Sequence, residues 1–131
     1  MANISAFNAK LLLDWNLGGA AATQPASRLA ALSLGTPTSV SGSEVLATSG
    51  YSRQTALFGA AASPAGSASN TAAMTFGPFS SSAAIQGLVI FDTTAVTAGN
   101  MLWYGTLLTA RTVLPGDTLV VAAGALIITL S

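Results

Sequence analysis

Acid–base chemistry in this chain would have to come from four carboxylates, Asp14, Glu44, Asp92 and Asp117, because histidine and cysteine are both absent. Without histidine no serine or cysteine triad of the usual kind forms. Losing both residue types also removes the common zinc and copper ligands. Paired carboxylates remain as a route to general acid–base work, yet no two of the four have a spacing that suggests a shared site. Asp117 follows Pro115-Gly116, where Pro and Gly are placed for a type II turn, and its expected work is to stabilise that turn. Asp92 falls at a strand end and reads as a turn or cap residue. A catalytic constellation needs a base, an acid or a nucleophile in defined relation, so no catalytic residue, metal or cofactor is expected.

The basic side chains, Lys10, Arg28, Arg53 and Arg111, are as sparse and as scattered. Phosphate contacts need clustered Lys or Arg, so nucleic acid is not an expected partner. No Gly-rich phosphate loop precedes a helix. Trp15, Trp103 and Tyr104 could make a sugar-binding platform, but Trp103 and Tyr104 lie inside an apolar strand, where core or interface anchoring is the plainer role.

These few reactive groups sit in a chain of 131 residues that is 51% hydrophobic and 6% charged, with zero net charge. Average soluble domains carry roughly 25% charged residues. Two readings fit: a monomer coated with Ser, Thr, Gly and Ala, or a subunit that lives in contact with others, since low charge favours association. The length suits one domain, 1–131. The most apolar stretch, residues 119–130, is too short for a helical membrane span and contains Gly124. The first positive side chain is Lys10 and no apolar run ends in a small-residue cleavage site, so export by the usual route is not expected.

The elements expected to position these residues are mostly strands. Residues 4–17 read as the one helix: Phe7, Leu11 and Trp15 fall at i, i+4 and i+8, with Ile4 and Leu12 beside them. Asn3 or Ser5 is placed to cap its start, and Gly18-Gly19 to end it. That apolar stripe either covers the domain's own core or docks on a neighbour. Strands are expected at 28–34, 51–58, 71–76, 83–91, 101–108, 111–114, 118–123 and 125–130, with Gly124 marking a bulge or bend. Residues 35–50 and 60–70 read as loops, and long loops in small domains are often functional. Short strands with turn signals every 8–12 residues and no helical crossovers predict an all-β fold, an antiparallel β-sandwich or jelly-roll-like barrel with one short N-terminal helix.

The order of short motifs adds a resemblance. LLLDW at 11–15 is followed by Gly18-Gly19, SGSEV at 41–45, GYSRQ at 50–54, NTAAMTF at 70–76, IFD at 90–92, GNMLWYG at 99–105, PGDTL at 115–119 and AAGAL at 122–126. Over nearly its whole length the chain resembles a family of small tailed-bacteriophage structural proteins, often labelled tail-fibre proteins, alongside which β-rich phage proteins of this size act as head decoration or cement proteins. Residues 47–50, Ala-Thr-Ser-Gly, replace the Gly-rich stretch usual before the Tyr in that pattern.

The resemblance implies a virion component assembled in the host cytoplasm. The leading expectation is a capsid-surface decoration protein. It would be a dimer or trimer bound across subunits of the major capsid protein. Expected partner contacts are Phe7, Leu11 and Trp15 on the helix and Val40, Val45 and Leu46 in the 35–50 loop. Deleting that loop is expected to weaken particle binding. The alternative is a tail-fibre or receptor-binding module that recognises a host glycan around Trp103 and Tyr104. A host-encoded adhesion module is a third reading, disfavoured by the missing export signal.

Overall fold

A computed structural model of the chain describes residues 2–64 and 66–130. The fold is all-β with one N-terminal helix. It begins with a three-residue strand, β1 (Ala2–Ile4), then α1 (Ala6–Leu17). Strands β2 (Leu29–Ser33), β3 (Gln54–Thr55), β4 (Ser67–Ser69), β5 (Met74–Phe76) and β6 (Ala83–Phe91) follow. The chain closes with β7 (Met101–Val113), β8 (Leu119–Val121) and β9 (Ile127–Thr129). Pairing is antiparallel throughout: a five-stranded sheet in the order β1-β7-β6-β2-β3, and two ribbons, β5-β8 and β4-β9. No barrel closes, which leaves the sandwich as the form taken. Buried Ala31, Ile85 and Ile90 of the sheet share one core with Met74, Phe76 and Ile128 of the ribbons.

The centre of the sheet is covered on both sides. All five residues of β2 and the last five of β6 are buried. A strand with two covered faces reads as a continuous apolar run instead of an alternating one, which is the pattern of residues 88–91, Leu-Val-Ile-Phe. One cover is the segment 35–50. An added Cβ at Gly42 would stand 3.4 Å from Val89 and 3.2 Å from Phe91, and one at Gly87 would stand 2.8 Å from Pro37. Successive strand residues face opposite sides, so the odd-numbered side of β6 lies under this segment. The even-numbered side, with Leu88 and Ile90, faces a groove bounded by β8 and β9.

Segment 35–50 is held like a strand return. Leu34 N–H donates to Ser43 O at 2.8 Å, and Val45 N–H to Leu32 O at 3.0 Å. Val45 is therefore a core residue, 0% exposed, and its side chain is closed to a partner. The expectation of an exposed contact there is corrected: the return stroke beside β2 turns Val45 inward.

The remaining turns follow local chemistry. At 114–117 Asp117 N–H donates to Leu114 O at 2.9 Å, Gly116 has φ +89°, and the Asp117 carboxylate accepts from Leu114 N–H. That is the expected Pro-Gly turn with Asp117 closing it. Asp92 accepts from both the main chain and the side chain of Asn100, closing the 92–100 turn. Buried Asn70 clasps the β8–β9 connection, donating to Ala122 O and accepting from Leu126 N–H.

Candidate interaction surface

The helix starts where Ser5 stops β1. Ser5 has extended backbone, and its hydroxyl accepts from Asn8 N–H at 3.1 Å, an N-cap. The same hydroxyl donates to Met101 O, and Ser5 N–H donates to Leu102 O, so the helix is rooted on β7. Gly18 ends it with φ +70°, a left-handed C-cap.

Beyond its root the helix is thinly covered. Its one buried residue is Asn8. Phe7, Leu13, Trp15 and Leu17 are exposed, Trp15 at 68%. Leu11 is half-buried and, with Leu12, Trp15 and Pro25, lines a cleft of about 450 Å3 between the helix and residues 22–25. A helix apolar around most of its circumference normally lies inside a protein. Here such a helix stands on the surface.

Residues 35–50 meet it at the base. Ala6 N–H donates to Ser39 O at 2.9 Å. That bond sets the first helical turn, with Phe7, beside the segment that carries Val40, which is 80% exposed. Leu46, also exposed, precedes a 3-10 turn at Ala47–Ser49. Of the six residues expected to meet a partner, five keep accessible surface. Phe7, Leu11, Trp15 and Val40 belong to this end of the fold, and Leu46 lies further along the same segment.

A buried ionic knot fixes that segment. The Arg53 guanidinium donates through Nε to Glu44 Oε1 and through Nη2 to Oε2, both at 2.7 Å. Its Nη1 donates to Thr93 O at 2.7 Å, and its face lies 3.7 Å over the Phe91 ring. The Tyr51 hydroxyl donates to Glu44 Oε1 and accepts from Leu32 N–H, while its ring stacks on Phe76. Thr97 N–H completes the set by donating to Glu44 Oε2. Thr97 has φ +63°, an outlying conformation for a β-branched residue, and Glu44 holds it there.

Both charges are almost wholly out of water, and a buried pair needs all its hydrogen bonds made to offset desolvation. Burial pushes the Tyr51 phenol well above its ordinary pKa range, and the Glu44 carboxylate adds to the shift. The knot ties together four stretches: β2 at Leu32, residues 44–53, the end of β6 and the 92–97 turn. The sequence held one signal for it, two opposite charges nine residues apart in a chain with few charges.

Trp103 and Tyr104 are half-buried in mid-sheet, paired with Ile4 and Asn3 of β1 on one side and with Ile90 and Val89 on the other. They do not form an exposed aromatic platform. No curated protein matches the chain. A family model described as podophage GP4 fiber I protein gp80 matches residues 3–129, almost the whole fold. The chain belongs to that family, and it is a phage virion structural protein.

Proposed function

We propose that the chain is a non-catalytic fibre subunit of the virion, working as a small homo-oligomer and docking on another virion protein through its helix and 35–50 segment. The observation that carries this is the surface helix, rooted on β7 at Ser5 yet leaving Phe7, Leu13, Trp15 and Leu17 exposed, with its first turn bonded to Ser39 next to exposed Val40. Burying apolar surface contributes roughly 25 cal/mol per Å2, less the cost of association. Repetition over many copies multiplies weak contacts into firm attachment. The family description favours a fibre position.

A second reading is a head decoration protein bound across subunits of the major capsid protein on the capsid surface. The small single-core fold, with the ribbons sharing the core of the sheet, favours it. A density map of purified virions separates the two readings, since shell and fibre positions are distinct.

Docking is tested by Trp15→Lys and Val40→Lys. Exposed sites of this kind change stability by no more than about 0.5 kcal/mol. Each variant is expected to fold normally and to show reduced occupancy on virions. Full occupancy by both variants would remove the helix and Val40 from the interface. Deleting 35–50 is not a usable test, because it removes Glu44 and Val45 and so opens the core.

A further inference from the structure

Strand β7 leaves its sheet midway. It pairs with β6 as Gly87↔Thr106 and then as Ile85↔Arg111, so residues 107–110 stand against the single residue Gln86. On its other edge β1 covers β7 only as far as Gly105. Leu108, Thr109 and Ala110 are therefore pushed outward, with Leu108 fully exposed, while Leu107 stays half-buried against the core. Natural edges are blunted with Lys, Pro, a covering element or a bulge, and here a bulge has already taken 107–110 out of the ladder. Residues 106–110 contain neither Lys nor Pro, and no strand among the described residues covers them.

Beside this protrusion runs a groove of about 960 Å3, walled by β7 on one side and β8 and β9 on the other. Leu88, Ile90, Leu119, Val121, Leu126 and Ile128 give it an apolar floor. Arg111 and Asp117 are its charged lining residues, one from β7 and one from the β7–β8 turn. Both are exposed. The ion pairs among the described residues are Lys10–Asp14 and Arg53–Glu44, so Arg111 and Asp117 have no ionic partner among the described residues.

We propose that the 107–110 protrusion and the groove beside it form a self-association surface, occupied by the same face of a second copy. This specifies the oligomer of the function proposed above and rests on that reading. Charge selects the occupant. A face with one positive group on β7 and one negative group at the β7–β8 turn is complementary to itself: a two-fold arrangement would set Arg111 of each copy against Asp117 of the other. Leu108 of each copy then enters the other's apolar groove, and the outer edge of β7 is covered.

The test is the association state of the full chain, measured by sedimentation equilibrium over a range of concentrations. Leu108→Asp changes a side chain with no place in the core, so circular dichroism should report an unchanged fold. Its self-association should weaken by at least about tenfold, as expected for a central apolar contact. Arg111→Gln and Asp117→Asn should each weaken association, and the double variant should lose little more than one alone, the mark of a shared contact.

Asp117→Asn keeps an oxygen for Leu114 N–H, so the turn survives. Association untouched by these changes overturns this surface while leaving an oligomer in place. A wild-type chain that stays monomeric at every concentration overturns it and the oligomer together. Docking on the virion is read separately, from the occupancy of Trp15→Lys and Val40→Lys.

Discussion

At the scale of residues, the Glu44–Arg53–Tyr51 knot brings a buried ion pair and a phenol together and ties the fold through their hydrogen bonds. Each Glu44 oxygen accepts two hydrogen bonds, one of them from Arg53. Tyr51 must stay neutral to donate to that carboxylate. In the unfolded chain its phenol titrates near pH 10 or so, whereas burial first and Glu44 second hold the folded value higher. Below about pH 10 both states keep the proton and the contribution to stability is complete. Above it the unfolded chain releases the proton and the folded chain retains it, so stability falls as pH rises. Urea unfolding of wild type and Tyr51→Phe from about pH 8 to about pH 11.5 measures this directly. The variant lacks the bonds to Glu44 and Leu32, so it should start about 1 kcal/mol less stable. The gap should narrow across the alkaline range, and a gap that stays constant or widens would show that Tyr51 ionises freely in the fold.

At the scale of elements, legibility followed locality. Strand β6 was readable to the residue at 83–91, because an apolar run under two covers leaves a plain signature. The helix was readable too, except that Ile4 was placed in it and the strand Ala2–Ile4 was not expected. Three residues carry no periodicity, and β1 exists only because β7 is there to pair with. Residues 101–108 and 111–114 read as two strands with a gap, while the structure joins them in one β7 around the 107–110 bulge. The segment 35–50 read as a loop because Ser, Thr, Gly and Pro dominate it. Its role as a cover depends on contacts with β6 some fifty residues away, which composition does not encode. Gly87 is where this cover presses closest. A Cβ there would fall 2.7 Å from Gly105 O, as well as against Pro37. The first obstacle is backbone and cannot swing aside. Gly87→Ala should therefore destabilise the fold by about 1–3 kcal/mol, the range for overpacking, although alanine favours strands no less than glycine. Denaturant unfolding checks this, and an unchanged midpoint would mean that both β7 at Gly105 and segment 35–50 at Pro37 give way more easily than the geometry indicates.

At the scale of the whole molecule, the scarcity of charge decides how the chain can hold on to anything. Four of the eight charged side chains are taken up in two internal ion pairs. Arg111 and Asp117 lie at the groove and not at the helix end. On the docking proposed above, the helix and the exposed part of segment 35–50 would meet a partner with the Lys10–Asp14 pair as the charges on the helix itself. Attachment through that end would then rest mainly on apolar burial. Screening shortens the reach of charge interactions to about 3 Å at 1 M salt, but excluded salts such as sulfate strengthen apolar association. Virions moved from about 0.1 M to about 1 M sodium chloride should keep their complement of this protein, and sulfate should retain it at least as well. Quantifying the protein left on sedimented particles makes the comparison. Loss at high salt would place the attachment on charged groups and overturn apolar docking through the helix.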